Sequence, residues 1–289
     1  MEVLEIEKLK GATLKIKKIP FWKKSYSLTS GTVIIIIVFI FALFPGLITH
    51  NDGVTQNYEA ILKAPSLTHL FGTDNFGRDL FSRIVWGTRI DLTIGLFAML
   101  VPFVTGTLIG LIAGYYGGWI DMILMRILDI FMAFPFIVLV IAIVSILGPG
   151  LYNLYIAIWL VGWKDYARLV RSEVMVAKNM EYIQAAKVLG FNDLRILLRH
   201  ILPNVLSVAI VFAAADVVMC MLSGASLSFL GLGVQPPTPE WGAIIADGRA
   251  YLSNAWWICT FPGLALVFAG TGFSLFGDGL SDMLRTKGR

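Results

Sequence analysis

Apolar positions in this chain gather into long runs instead of alternating with polar ones. Six such runs cover residues 32–48, 92–115, 127–147, 151–163, 205–232 and 256–276. At about 1.5 Å of rise per residue, roughly 20 residues cross a hydrocarbon layer about 30 Å thick. The pattern therefore predicts an all-α, polytopic membrane protein with six transmembrane helices. The fourth run is the shortest, and it must extend into the charged stretch behind it or be helped by tilt and burial. It is counted because parity requires it. The organisation that follows is a tail at 1–31, a first transmembrane helix and external segment at 32–90, a five-helix core at 91–284 with an inner loop at 164–203, and a short tail at 285–289.

Composition agrees with this reading. Apolar residues make up 57% of the chain and charged residues 15%, with a mean hydropathy of +0.78, whereas soluble domains carry about 25% charge. A soluble enzyme, a secreted disulfide scaffold and a nucleic-acid binder are excluded, so the pI near 9.0 belongs to topology. Positive charge is retained on the cytoplasmic side. With the amino terminus inside, 17 of the 23 Lys and Arg residues fall inside: the tail lysines Lys8 to Lys24, the inner loop from Lys164 to Arg199, and Arg285, Lys287 and Arg289. Lys63, Arg78, Arg83, Arg89 and Arg249 fall outside, and Arg126 ends the third run. Both termini are expected in the cytoplasm. The first run starts behind the lysine-rich tail and has the character of an uncleaved anchor. Cys220 and Cys259 lie in apolar runs and are expected to be packing thiols.

Candidate chemistry is sparse. Gly106, Gly110 and Gly114 recur every four residues and form a smooth helix strip suited to close packing. Three acids lie within or at the edge of runs: Asp129, with a local partner expected in Arg126; Asp278, near the inner interface; and Asp216, mid-span. Ala209, Ala213, Asp216, Cys220 and Ser223 share one face of the fifth helix, while Val211, Val218 and Leu222 point away. That face fits close helix packing or the wall of a watered translocation cavity holding Asp216, Cys220 and Ser223. No Gly-x4-Gly-Lys-Ser/Thr phosphate loop occurs, so no ATP site is expected here. His50, His69 and His200 are scattered, so neither a metal site nor a catalytic site is expected.

The inner loop predicts two short amphipathic helices separated by Gly190. In the first, Tyr182, Ala185, Ala186 and Leu189 share a face, with Glu181, Gln184, Lys187 and Val188 around the other. In the second, capped by Asn192 or Asp193, Leu194, Leu197, Leu198 and Ile201 form a stripe beside Arg195 and Arg199, and Pro203 opens the fifth span. Such a pair suits a headgroup-resting element, internal packing or a docking element for a soluble partner. The external segment sets Gly72, Thr73 and Gly77 among Asp74, Arg78, Asp79 and Arg83, a composition suited to turns braced by charge-assisted hydrogen bonds or to contact with an external protein.

Gln184-Ala-Ala-x3-Gly190-x9-His200-x-Leu-Pro203 resembles the EAA loop of ABC importer permeases. Gln184 replaces the usual Glu, with Glu181 one turn earlier, and His200 replaces the usual Ile. Phe71 to Arg83, Gly87 to Leu92, Phe229 to Gly242 and Gly277 to Asp282 are similar to segments of the C-type permease subunits of dipeptide, oligopeptide and nickel importers. The resemblance implies the type I permease fold and ATPase coupling through Glu181, Gln184, Ala185, Ala186, Gly190, Leu202 and Pro203. It further implies a homologous B-type permease, two cytoplasmic ATPases that bind ATP and Mg, an external solute-binding protein and a peptide substrate, in a prokaryotic plasma membrane. This chain itself would bind no cofactor. Nickel is the alternative cargo. An ion-coupled secondary transporter is the rival class, against which the inner-loop motif shows no repeat.

Overall fold

A computed structural model describes residues 26–287, with side chains described to residue 284. The lysines of the amino-terminal tail and the side chains of the basic residues at the last five positions lie outside that description. The described residues are helices and turns, with one isolated bridge between Thr73 and Asp79. The helices that frame the two ends of the bundle are α1 (Tyr26–Leu43), α2 (Leu80–Tyr116), α3 (Gly118–Met132), α4 (Phe136–Leu147), α5 (Leu151–Ala177), α6 (Glu181–Val188), α7 (Asp193–Ile196), α8 (Leu202–Phe229), α9 (Trp241–Gly248) and α10 (Trp257–Lys287). By length and composition α1, α2, α10 and the helical stretch Asp193–Phe229 are apolar enough to cross a membrane, and the bent pair α3–α4 counts as a fifth if it is one span, against the six expected.

Three sequence expectations change. The third run is not one straight helix, because α3 and α4 meet at 84°. Pro135 lacks an N–H and drives the residue before it away from helical geometry. The fourth run takes the first of its two expected routes and extends into the charged stretch, α5 running through Lys164, Arg168 and Arg171 as far as Ala177, which displaces the expected start of the inner loop at 164. That stretch is helical because it packs on α2, so the inner loop proper begins only after Ala177. The external segment is also shorter than expected. Asp79 accepts the Ser82 N–H at 2.9 Å and starts α2 at Leu80, well ahead of the apolar run.

Three apolar clusters hold the bundle. Val38, Leu80, Trp241, Ile258 and Phe273 join α1, α2, α9 and α10. Ile94, Val140, Leu154, Ile158 and Leu227 join α2, α4, α5 and α8. Leu111, Val174, Ile183, Ile196 and Ile201 seat the inner loop between α2, α5 and α8. The α2–α5 crossing is close. Cβ atoms added at Gly106, Gly110 and Gly114 would meet Trp163 O at 2.3 Å, Ala167 O at 2.5 Å and Val174 Cβ at 2.8 Å.

Candidate functional site

At the end of the bundle carrying α6 and α7, the loop is anchored from inside. Ile183 and Ala186 are buried, which turns Tyr182, Ala185, Val188 and Leu189 outward, Val188 with 88% of its surface exposed. This corrects the expected face. Ile183 is the larger apolar group, and with Ala186 one turn on it seats the helix against Val170 and Val174. Ala185 is exposed while Ala186 is not. Glu181 and Gln184 are exposed, and Gln184 Nε2 donates to Lys178 O at 3.0 Å, closing the turn that precedes α6. Gly190, at φ +78°, ends the helix in the left-handed region. Asn192 caps α7 by accepting the Arg195 N–H at 2.9 Å.

The expected stripe of the second helix is split. Leu197 and Ile201 are buried whereas Leu194 and Leu198 are exposed, because one π-helical turn at Leu197–Ile201 shifts the register before Leu202 and Pro203 open α8. The Tyr115 hydroxyl donates to Asp193 at 2.6 Å and Lys178 Nζ to Gly114 O at 2.7 Å, tying the loop to the end of α2. The Phe191 ring lies 4.2 Å from the Arg195 guanidinium and stacks with the His200 ring at 5.8 Å. The result is a loop seated on the bundle that presents Tyr182, Val188, Leu189, Leu194 and Leu198 outward.

At the opposite end, Asp74 is the hub of the cap. It is fully buried and accepts the Phe76 and Arg78 backbone N–H groups at 2.8 and 2.9 Å, the Arg78 Nε–H at 2.6 Å and the Arg83 Nη1–H. Asp247 of α9 lies 3.6 and 3.8 Å from the same two guanidiniums. Burial pushes its carboxyl above the ordinary range, and Arg83 and Arg78 pull it part of the way back. Thr73 donates to Ala60 O and accepts the Lys63 N–H at 2.8 Å. Asp79 also bonds His69 Nδ1 at 3.0 Å. Gly77 is at φ +69°, and a Cβ there would strike Asn57 O, so the turn excludes any side chain. Gly72 is wedged between Lys63 O and the Trp257 indole.

On α8, Ala209, Ala213 and Cys220 are buried, and Asp216 and Ser223 are half-buried. The Tyr166 hydroxyl of α5 donates to Asp216 Oδ2 at 2.8 Å, and Ser223 bonds back to Met219 O at 2.7 Å. The ion pair of Asp129 is with Arg168 of α5 at 3.4 Å rather than with Arg126, because α5 extends beside α3. Asp278 is exposed.

Residues 106–288 match the family described as binding-protein-dependent transport system inner membrane component. The chain belongs to that family. Similar proteins include the dipeptide transport system permease protein DppC of Alkalihalophilus pseudofirmus, 46% identical over 92% of this chain and 87% of the relative. The glutathione transport system permease protein GsiD of Pectobacterium atrosepticum is 42% identical over 92% and 89%, and the probable D,D-dipeptide transport system permease protein DdpC of Escherichia coli K12 is 40% identical over 90% and 87%. In fold, this permease is similar to the inward-facing MetNI methionine ABC transporter in its native CY5 crystal form, with a TM-score of 0.60 and 18% identity, covering 73% of this chain and 98% of the other. The protein is an ABC importer permease of the membrane.

Sequence reasoning missed two features of this permease. Lys164 is buried, paired with Asp165 at 2.9 Å and lying 5.5 Å from the Phe136 ring. Its position next to a short apolar run gave no sign of burial. Asp91 and Glu240 are both wholly buried. Each stood inside a recognised segment, but the two are remote in sequence, so nothing announced that the Trp241 N–H beside Glu240 donates to Asp91 at 3.1 Å.

Proposed function

We propose that this permease is the C-type subunit of a peptide importer of the prokaryotic plasma membrane, with both termini cytoplasmic. The observation that carries the coupling reading is the exposed apolar surface of α6, where Tyr182, Ala185, Val188 and Leu189 stand out from a loop whose own core is filled by Ile183 and Ala186. A short helix of that kind suits a groove on a soluble ATPase. Two such ATPases hold ATP and Mg and supply the power stroke. Closure of the ATPases drags the loop at Gly190, and rigid-body movement of the helices against a B-type partner permease turns the cavity between inward and outward facing. Glu181 and Gln184, exposed at the start of α6, form the polar edge of that contact, and Leu202 and Pro203 carry the motion into α8.

The named relatives handle dipeptides, glutathione and D,D-dipeptides, all small peptides, which supports peptide as the cargo class here. An external solute-binding protein delivers it to the braced cap. Asp216, Cys220 and Ser223 are assigned to the cavity wall, an assignment supported by the small and polar character of their shared helix face and by the partial exposure of Asp216 and Ser223. Co-reconstitution with the partner permease, the ATPases and the binding protein into liposomes tests the whole reading. ATP-dependent uptake of a labelled dipeptide is expected; uptake driven by an ion gradient without ATP would overturn it.

A further inference from the structure

The exposed edge of α5 changes character half-way along the helix. In the outer half it is apolar, with Tyr152, Ile156 and Leu160 exposed; from Lys164 inward, Asp165, Arg168, Leu169 and Ser172 reach the surface instead. Lys164 is buried and donates to Asp165 Oδ2 at 2.9 Å, while the Asp165 side chain keeps 40% of its surface exposed. One turn further in, Arg168 pairs with Asp129 of α3 at 3.4 Å, the two side chains 54% and 61% exposed. Between these pairs the buried Tyr166 hydroxyl reaches Asp216 of α8, which sets that acid next to the same part of α5.

The close crossing with α2 fixes the depth of this edge. A Cβ at Gly106 would touch Trp163 O, Tyr166 Cβ and Ala167 N, so Asp165 stands level with Gly106. From there α2 runs another ten residues to its end at Tyr116, about 15 Å along the helix. An aspartate side chain is too short to reach a headgroup across that distance, and the lysine that pairs with it is itself buried. Charged groups inside a span face the bundle interior or water, because acyl chains solvate them poorly. The exposed members of the two pairs, Asp165, Arg168 and Asp129, therefore point to water.

We propose that this edge of α5 lines a water-filled inner half of the translocation route, where the Asp165 carboxylate meets the ammonium and the Arg168 guanidinium the carboxylate of a zwitterionic peptide. The proposal rests on the importer reading above and adds the cargo contacts to it. Asp165 and Arg168 are three residues apart and stand on one side of the helix, so both ends of a short peptide face the same wall. Each side chain already has a partner, Lys164 or Asp129, so cargo gains only by exchanging one partner for another. Such a wall holds its cargo weakly enough to release it.

The test uses the complete complex in liposomes. An impermeant thiol reagent is added on the ATPase side to Asp165→Cys, Leu169→Cys and Leu160→Cys, and labelling is counted above that of wild type with its native Cys220 and Cys259. Leu169→Cys breaks neither ion pair, so it carries the test should Asp165→Cys fail to assemble. The cysteines at 165 and 169 are expected to react, and the one at 160, exposed on the apolar half, to resist. Shielding of Leu169→Cys in every nucleotide state would place the edge against lipid or the partner permease and overturn the proposal. For cargo contact, Arg168→Gln is expected to slow uptake of a zwitterionic dipeptide about tenfold or more, the loss of one hydrogen bond to a charged group, and Arg168→Lys to restore most of it. The exposed Arg168–Asp129 pair adds little stability, so thermal midpoints are expected to match wild type. Undiminished uptake by Arg168→Gln, or equal losses in both variants, would overturn the cargo contact. Labelling at Leu169 is read without transport, so its failure is distinct from a wild-type complex that imports no peptide, which would overturn the importer reading instead.

Discussion

Asp74→Ala removes the nearer of two carboxylates that a pair of buried guanidiniums shares. The Arg78 and Arg83 side chains are each 3% exposed and that of Asp74 is not exposed at all, so neither arginine gains water when its partner is deleted. Breaking a buried pair by removing one member costs about 3–5 kcal/mol. Asp247, at 3.6 and 3.8 Å, retains part of the attraction, which places the expected loss near the lower end, about 3 kcal/mol. Two backbone N–H groups, of Phe76 and Arg78, lose their acceptor as well. The loss falls on the cap, so the assay is proteolysis of the external segment in right-side-out vesicles. An opening penalty lowered by 3 kcal/mol raises the cleavable population about a hundredfold. Asp52→Ala is the control: Asp52 accepts the Val54 and Thr55 N–H groups in an exposed turn, and its loss is expected to change cleavage by less than about fivefold, in line with a contribution near 1 kcal/mol. Equal protease resistance in Asp74→Ala and wild type would refute the view of Asp74 as the hub of the cap.

Other predictions concern the bundle and its orientation. Gly110→Ala puts a methyl 2.5 Å from the Ala167 carbonyl oxygen, a backbone atom that cannot swing aside, and is expected to lower complex stability by about 1–3 kcal/mol. Gly263→Ala, which meets nothing within 4 Å, is expected to be neutral or to stabilise by up to about 1 kcal/mol, as measured by thermal midpoint. Tyr166→Phe strips Asp216 of the donor at 2.8 Å and is expected to cost about 1–3 kcal/mol, whereas Asp216→Asn keeps an acceptor for that hydroxyl and is expected to assemble normally but with altered uptake. Single cysteines at Asn57 and Asn192 are expected to react and to resist, respectively, when intact cells meet an impermeant thiol reagent; labelling at Asn192 would invert or break the topology.

Long-range pairing, more than local pattern, divides what was legible in the chain from what was not. The glycine strip in α2 was readable because its period alone brings Gly106, Gly110 and Gly114 to one face, and that face meets α5. The Gly190 break and the Asn192 cap were readable because φ preference and capping are local properties. The face of α6 was not: Ile183 and Tyr182 are both apolar neighbours, and only the presence of Val170 and Val174 behind the helix decides which one is buried. The partner of Asp129 was missed for a related reason, since a local Arg126 was at hand while Arg168 comes near only when α5 outruns its apolar half. Asp91 and Glu240 sit in different segments, and the Trp241 N–H next to Glu240 reaches Asp91 only when α9 folds back on α2.

The exposed face of α6 is proposed to meet the ATPases. A photo-crosslinking side chain at Val188, which is 88% exposed, tests it in the assembled complex. The expected product joins this permease to an ATPase subunit, with a yield that changes between nucleotide-free and ATP-bound states. Crosslinks to lipid alone, in a complex that still hydrolyses ATP and imports peptide, would contradict it.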